Sequence, residues 1–397
     1  MKKKPSHHSK AIITIVTNNY FHQALILGKT IQRFENKADF IIFVVGYHPE
    51  EACYDECEFE IIDAKILNPE EWERFLFQYK GLSVCCALKP KALHHILHHY
   101  EKVIYLDSDI KLFHHLEEAW NQLDYMTLSL TPQRNAAPSV VAPIISATML
   151  RMSGIFNAGY VGATHDALPF LEWWWGKTHY NCLVDDYIIG IYLDQIYLND
   201  AVGRVDRLGI LKNCGYNVAW WNVDQRDIKR PHNYYFVNDV PLVFLHFSCF
   251  SFFLKNIKNF LWLKGRFGKL YFELYTNYIG ELSYHKNRLN VQAYSYDHFK
   301  DGTPISYEWR EYMRRDIPEL KNVLCPFDLI ETERQEIENI MKKRPEFFQP
   351  NKKREVNDWR NSELVYTRAL NKSDSYIRFL EKTIRERGYF KKKEESA

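Results

Sequence analysis

The sequence predicts an α/β fold in which helices cover both faces of a sheet. Three short runs rich in β-branched and aromatic residues, at positions 11–16, 40–45 and 103–106, have the composition of buried strands. Helical patterns at positions 21–34 and 92–100 alternate with them. Because two parallel strands need a crossover connection, usually a helix, this alternation predicts a doubly wound sheet.

Weaker patterns extend the fold towards the C-terminus. They predict strands at positions 59–62, 126–130, 156–162 and 242–247, and helices at 167–175 and 185–198. After Gly302 the chain becomes polar and helical, most clearly at 331–344 and 376–393. We therefore expect a sheet domain over residues 1–300 and a helical C-terminal extension over residues 301–397.

Composition narrows the class of protein. Of 397 residues, 46% are hydrophobic and 26% are charged, which is typical of a globular chain. The formal net charge of +2 is too small to favour a nucleic acid as partner. Residues 1–10 lack the apolar core of a signal peptide, and no apolar run is long enough to span a bilayer. We expect a cytoplasmic protein with reduced cysteines.

The strand at 103–106 runs directly into two carboxylates, Asp107 and Asp109. A strand that ends in this way brings both carboxylates to the edge where open α/β sheets bind ligands. Two hard oxygen ligands suit Mg²⁺ or Mn²⁺, and such an ion suits a diphosphate. The alternative is a strand followed by an Asx-type turn that caps a helix over residues 112–120.

Two common nucleotide-binding motifs are absent from the sequence. No G-x-G-x-x-G follows Val16, so a dinucleotide-binding fold is disfavoured. Gly176-Lys177-Thr178 resembles the end of a P-loop, but Leu171 stands where the upstream glycine is needed.

Seven short motifs follow one another in an order that is more specific than any one of them. They are Thr17-Asn18-Asn19-Tyr20, Ala87-Leu88-Lys89-Pro90, Asp107-Ser108-Asp109, Phe156-Asn157-Ala158-Gly159, Asp194-Gln195, the run Gly215 to Asn222, and Leu245-His246-Phe247-Ser248. This order resembles bacterial GT-A-fold glycosyltransferases related to glycosyltransferase family 8, over roughly residues 10–300. The resemblance implies a Rossmann-like nucleotide-diphospho-sugar transferase sheet as the catalytic domain, followed by the helical extension.

The resemblance also implies roles for individual residues. Asp107, Asp109 and His246 match the set that holds Mn²⁺ or Mg²⁺. The residues that match contacts to the nucleotide and diphosphate of the donor are Thr17, Asn19, Tyr20, Lys89, Ser108, His285 and Arg288. Asn157, Asp194 and Gln195 match residues beside the donor sugar, near its reacting face.

Several of these residues also have an ordinary structural interpretation. Lys89 could be a solvated lysine at a helix start, and Asn157 a turn residue beside Gly159. Asp194 and Gln195 could lie on a solvated helix face, and His246 could be a core histidine. The sequence also departs from the family pattern, because Cys249 replaces a glycine and the expected lysine does not follow.

The expected function is metal-dependent transfer of a sugar from a nucleotide diphosphate sugar, here a UDP-sugar, to an unidentified acceptor. The resemblance implies retention of configuration and a place in surface polysaccharide or glycoconjugate synthesis. The acceptor could be a saccharide, a lipid-linked molecule or a protein, and no nucleic acid is expected. The alternatives are a non-catalytic nucleotide-sugar-binding module, a sugar-nucleotide hydrolase and a nucleotidyltransferase.

Residues 250–279 alternate large apolar side chains with positive charges. This pattern is typical of an amphipathic segment that contacts anionic lipid, and it predicts peripheral contact with the inner face of a membrane. The alternative is ordinary core packing with lysines that reach solvent.

Overall fold

A computed structural model describes residues 9–55, 57–68, 70–135, 153–183, 193–248, 257–289 and 292–344, without the side chains of residues 52 and 257–267. The chain divides into two compact units. The first unit comprises residues 1–136 and 150–338 and contains the sheet. The second unit comprises Ala137–Met149 and Asn339–Ala397, of which the structure describes residues 339–344. The predicted boundary between residues 300 and 301 stays a prediction.

Seven strands form the central sheet, in the order β3-β2-β1-β4-β7-β6-β8. Their bounds are β1 Lys10–Thr17, β2 Asp39–Val45, β3 Glu60–Asp63, β4 Lys102–Leu106, β6 Leu128–Pro132, β7 Phe156–Thr164 and β8 Leu208–Ile210. Strands β1, β2, β3 and β4 are parallel to one another, as the alternation of strands and helices predicts. Strand β7 is antiparallel to both of its neighbours, so the sheet is mixed.

Smaller strands lie outside the central sheet. Strand β5, Ile110–Leu112, pairs antiparallel with β12, Phe244–His246. Strand β12 ends with the predicted metal ligand His246. Three further strands form a small sheet: β9 Ile228–Lys229, β10 Phe236–Val237 and β11 Val240–Pro241.

Nine α-helices are present among the described residues. They are α1 Phe21–Phe34, α2 Trp72–Phe77, α3 Gly81–Leu97, α4 Glu117–Gln122, α5 Leu168–Thr178, α6 Ala201–Arg204, α7 Ile257–Leu289, α8 Tyr307–Arg314 and α9 Glu331–Lys342. Helix α7 is interrupted at Gly268, which has a φ of 84°. Glycine adopts such a positive φ readily because it lacks a Cβ atom. The predicted helices after Gly302 are confirmed by α8 and α9, and the pattern at 376–393 lies outside the described residues.

Three predicted helices differ from the structure. The helix predicted over 185–198 lies partly outside the described residues, and its described end forms a 3₁₀ helix at Gln195–Asp200. Helix α3 begins at Gly81 and contains Pro90, whereas the sequence pattern predicts a helix from residue 92. The predicted helix over 112–120 is wrong, because residues 110–112 form β5 and α4 begins only at Glu117. The alternative interpretation, an Asx-type turn that caps that helix, therefore fails.

The core of the central sheet contains few polar groups. Strands β1, β2 and β4 are buried almost throughout, and α1 covers one face through Phe21, Leu27 and Ile31. Such burial of apolar side chains is the main stabilising contribution of the sheet. Polar side chains accumulate instead where β1 and β4 end, and this is the edge described next.

Candidate active site at the end of strand β4

Backbone pairing brings the predicted metal ligands together. The N–H of Asp107, directly after β4, donates to the carbonyl of Gly159 in β7 at 2.9 Å. In the antiparallel pair of β5 and β12, His246 lies opposite Ile110, and the N–H of Phe247 donates to the carbonyl of Asp109 at 2.9 Å. The histidine therefore reaches the carboxylates through strand register.

Asp107, Asp109 and His246 form a compact set of potential ligands. One ligand atom of each lies within 4.8 Å of the others. The Nε2 atom of His246 is 3.0 Å from Oδ1 of Asp109 and 3.7 Å from Oδ2 of Asp107. The two carboxylates are 20% and 26% exposed, and the imidazole is 4% exposed. Two oxygen donors and one nitrogen donor at a partly open position fit a divalent cation.

A second layer of contacts orients the imidazole. The Nδ1 atom of His246 lies 3.3 Å from Oδ1 of Asn217, whose amide donates to the hydroxyl of Thr131 at 3.2 Å. Histidine ligands of metals commonly use their other ring nitrogen in this way. Burial lowers the pKa of His246, but Asp109 and Asp107 outweigh burial and leave that pKa raised. His246 is buried, as a core histidine would be, yet its Nε2 atom faces two carboxylates.

Lys89 is the central cation of the site. Its Nζ atom lies 3.0 Å from Oδ1 of Asp107 and 3.1 Å from Oδ2 of Asp194, and it donates to the carbonyl of Ala158 at 3.1 Å. Its side chain is 2% exposed and lies inside α3, so the interpretation as a solvated helix-start lysine is wrong. Burial lowers the pKa of Lys89, but Asp107 and Asp194 raise it well above its ordinary value.

The two oxygens of Asp107 face different groups. Oδ1 accepts from the hydroxyl of Tyr105 at 2.8 Å and faces Lys89, whereas Oδ2 faces His246. Burial raises the pKa of Asp107, but Lys89 and His246 outweigh burial and hold it below its ordinary value. One oxygen is thereby fixed by protein donors, and the other remains on the side of the potential metal ligands.

The predicted sugar-facing residues are buried beside Lys89. Asn157 donates to Oε1 of Gln195 at 3.3 Å, and Gln195 donates to the carbonyl of Ser153 at 2.6 Å. The interpretation of Asp194 and Gln195 as a solvated helix face is wrong, because both are buried. Burial raises the pKa of Asp194, while Lys89 acts in the opposite direction. Asn157 also accepts from the N–H of Gly159 at 3.0 Å, so it has the local role that its alternative interpretation expects.

The predicted nucleotide-binding residues lie on two neighbouring elements. Thr17 ends β1 and donates to Asn19 at 2.6 Å, and Tyr20 is 43% exposed. Ser108 donates to Gln23 of α1 at 2.9 Å, which connects the turn between the two carboxylates to that helix.

The predicted basic motif lies near the end of α7. His285 is buried with its Nε2 atom 3.2 Å from Nζ of Lys29, whereas Arg288 is exposed. Burial, then Lys286 and His285, lower the pKa of His22 to about 4, so this part of α7 is electrostatically coupled to the start of α1. The roles of all the predicted site residues stay predictions.

Sequence reasoning missed several residues of this network. Tyr105 precedes Asp107 by two positions, a spacing that could have shown its proximity. The contact of Asn217 with His246 and the pairing of Lys89 with Asp194 join distant parts of the chain, and no local pattern indicates them.

Comparison with known proteins gives a limited sequence match and several structural ones. No protein-family model matches the chain. The protein YfnD of Bacillus subtilis strain 168, described as uncharacterised, is 26% identical over 184 residues, which cover 45% of this chain and 57% of YfnD. The match thus spans less than two thirds of that relative.

Solved structures similar to the chain include three glycosyltransferases. Mouse xyloside xylosyltransferase 1 is 14% identical, with a TM-score of 0.39, over 60% of this chain and 98% of that one. The galactosyltransferase LgtC with donor and acceptor sugar analogues is 15% identical, with a TM-score of 0.38, over 59% and 86%. The bifunctional glycosyltransferase WbbM is 14% identical, with a TM-score of 0.35, over 56% and 42%.

The predicted α/β fold class is confirmed: the central sheet is mostly parallel, and helices follow it towards the C-terminus. All three TM-scores lie below 0.5, so the function is argued below from the chain's own residues.

The membrane prediction is tested only in part by the structure. No helix in the described ranges is long and apolar enough to cross a membrane. Within the predicted amphipathic segment, Tyr271, Leu274, Tyr275 and Tyr278 are buried in a core cluster, as the packing alternative expects. Residues 249–256 lie outside the described residues, so lipid contact stays a prediction.

Proposed function

We propose that this protein is a metal-dependent glycosyltransferase that uses a nucleotide diphosphate sugar, a UDP-sugar in our proposal, as donor. The observation that carries the proposal is the convergence of Asp107, Asp109 and His246 at the end of β4, beside the pair formed by Lys89 and Asp194. Open α/β sheets bind ligands at this edge, and a diphosphate needs cationic partners as it leaves.

Each group of residues has a chemical task in this proposal. A Mn²⁺ or Mg²⁺ ion held by Asp107, Asp109 and His246 would neutralise charge on the diphosphate. Lys89 holds Asp194 in place so that Asp194, with Asn157 and Gln195, binds hydroxyl groups of the donor sugar. Thr17, Asn19, Tyr20 and Ser108 contact the nucleotide, and Arg288 adds positive charge near the diphosphate. Burial, then Lys29, lower the pKa of His285, so it offers a neutral imidazole there.

Other parts of the proposal rest on the family resemblance alone. They are retention of configuration, a role in surface polysaccharide or glycoconjugate synthesis, and an acceptor that is a saccharide, a lipid-linked molecule or a protein. A cytoplasmic location and a catalytic domain ending at residue 300 are also part of the proposal, and they rest on the sequence patterns described above.

The test compares Asp109→Asn with Asp124→Asn. Asp124 is also a carboxylate in an ion pair, but it pairs with Lys102 at the start of β4, away from the proposed site. We expect the parent and Asp124→Asn to bind UDP in a Mn²⁺-dependent manner and to release UDP slowly from a UDP-sugar. We expect Asp109→Asn to fold normally but to lose both properties.

Each outcome separates the proposed function from its alternatives. Full Mn²⁺-dependent UDP release by Asp109→Asn would contradict the metal assignment. Tight UDP binding by the parent with no release from any of a panel of UDP-sugars would favour a non-catalytic binding module. Rapid release that no added saccharide, lipid-linked or protein acceptor changes would favour a hydrolase.

A further inference from the structure

Residues 292–297, which we call the strap, cross the edge of the sheet where β1 and β2 end. The amide of Asn18, just after β1, donates to the carbonyl of Gln292 at 3.4 Å. A Cβ atom built on Gly46, just after β2, would lie 3.4 Å from the ring of Tyr296. A Cβ atom built on Gly81 would lie 3.0 Å from the methyl group of Thr17 and 3.4 Å from the ring of Tyr294. The strap therefore packs directly against the predicted nucleoside-binding loop.

Buried contacts hold the strap in this position. The guanidinium of Arg310, which is 2% exposed, donates to the carbonyl of Tyr296 at 3.2 Å and to Asp297 at 2.7 Å. The same side chain donates to the carbonyl of Phe77 at 3.2 Å. The ring of Tyr296 also packs edge-on against that of Phe327 at 5.3 Å. A residue of the strap can thus take part in recognition without first being ordered, which limits the entropic cost of binding.

Two buried polar atoms at this loop and strap have no hydrogen-bond partner among the described residues. They are the hydroxyl of Tyr294 and Oδ1 of Asn18. Buried polar atoms are nearly always paired in native proteins, so each exception needs an explanation. Their grouping at one loop, at the edge where α/β sheets bind ligands, indicates that a polar ligand supplies the missing partners.

We propose that Tyr294 is part of the donor site and that its hydroxyl binds the nucleoside portion of a nucleoside diphosphate. This inference rests on the proposed function and adds a specificity-determining residue from outside the motifs of the sequence analysis. Burial, then Cys85 and Asp297, raise the pKa of Tyr294 well above its ordinary value. The hydroxyl is therefore neutral and can donate or accept a hydrogen bond to a base or ribose.

The test is Tyr294→Phe, which removes only the hydroxyl. The Kd for UDP in the presence of Mn²⁺ should rise about tenfold, the factor that corresponds to the loss of one hydrogen bond. The Kd for inorganic pyrophosphate should not change, because it has no nucleoside. In the ligand-free protein the same substitution removes a buried, unpaired polar group, so the Tm should rise. A weaker ligand affinity together with a higher Tm is a signature that mere loss of packing would not produce.

Tyr100→Phe is the matched control. Tyr100 lies near the opposite edge of the sheet, and its hydroxyl donates to Asp39 at 2.8 Å. This variant should have a lower Tm and an unchanged Kd for UDP. Equal UDP affinity of Tyr294→Phe and the parent, or an equal loss in both variants, would overturn the inference and leave the proposed function intact. A parent protein that binds none of UDP, GDP and ADP with Mn²⁺ would overturn both.

Discussion

Gly159 offers a direct test of the geometry around His246. It lies in β7, where its backbone has no positive φ, so alanine is allowed at this position by the main chain. A Cβ atom built there would lie 2.5 Å from Cε1 and 2.8 Å from Nδ1 of His246, and 2.8 Å from Oδ1 of Asn157. Gly159→Ala would therefore push one methyl group against the imidazole and the neighbouring amide.

The size of the effect follows from these distances. Non-bonded carbon atoms prefer separations of about 3.5–4.0 Å, so the imidazole of His246 must retreat by about 1 Å. Metal–ligand distances tolerate deviations of only about 0.2 Å. We therefore expect the Kd for Mn²⁺ to rise at least about tenfold, the lower end of the range for a disturbed second layer around a metal. Overpacking should also lower the free energy of unfolding by about 1–3 kcal/mol.

Gly162→Ala is the control, because Gly162 lies in the same strand and is also crowded. Its Cβ atom would lie 2.9 Å from the hydroxyl of Tyr160 and 3.2 Å from both Leu123 and Ser129, with no potential metal ligand among these three atoms. Urea unfolding should show a loss of stability in both variants, and titration calorimetry with Mn²⁺ should show weaker binding only in Gly159→Ala. Equal Mn²⁺ affinity in the two variants would refute the placement of His246 at the metal.

Three further predictions concern buried charge, pH and lipid. Lys89→Met leaves the buried carboxylate of Asp194 without its cation, and urea unfolding at pH 7 should show a loss of about 3–5 kcal/mol; an unchanged midpoint would contradict this. The pKa of His22 is about 4 in the folded chain and 6.5 in the unfolded chain, so the unfolded chain takes up the proton first and stability falls as the pH drops from about 6.5 to about 4. The expected loss in the free energy of unfolding is on the order of 3 kcal/mol. Unfolding curves at pH 7 and pH 4 should show this loss for the parent protein but not for His22→Gln. If the amphipathic segment contacts lipid, flotation with anionic vesicles at low salt should detect the parent protein but not the variant with glutamate at Lys255, Lys258, Lys264 and Lys269; a parent that ignores such vesicles contradicts the membrane prediction.

Local sequence was sufficient for every strand of the central sheet except β8, and for the position of the two carboxylates. The run before Asp107 is apolar and β-branched, and its burial in β4 follows from that composition. The antiparallel direction of β7 was not predictable, because nothing within positions 156–162 records which strand will be its neighbour. The pairing of β5 with β12, which brings His246 to Asp109, depends in the same way on contacts between distant parts of the chain.

The burial of Lys89 could not be predicted, because Pro90 follows it directly in the sequence. A proline inside a helix removes one backbone hydrogen bond and usually ends the pattern, so position 92 was the natural predicted start. In the structure α3 continues through Pro90, and the hydroxyl of Thr178 donates to the carbonyl of Ala87 in the same region at 2.9 Å. The helix persists here although Pro90 lacks the N–H that would bond to the carbonyl of Cys86, and packing against α5 holds α3 in place. No residue close to Lys89 in the sequence indicates that Asp194 forms an ion pair with it.

The charges of the site form a balance that connects Lys89 to the metal prediction. The site contains three carboxylates, those of Asp107, Asp109 and Asp194, and one ammonium group, that of Lys89, which contacts Asp107 and Asp194. With the carboxylates ionised and His246 neutral, as a metal ligand must be, two negative charges remain. A divalent cation offsets them, whereas a second lysine could supply only one positive charge. Because Lys89 occupies Oδ1 of Asp107, the oxygen that faces His246 stays available to such an ion. Lys89 thus reduces repulsion between the carboxylates in the folded chain and still leaves the charge and the ligand atoms that a divalent metal requires.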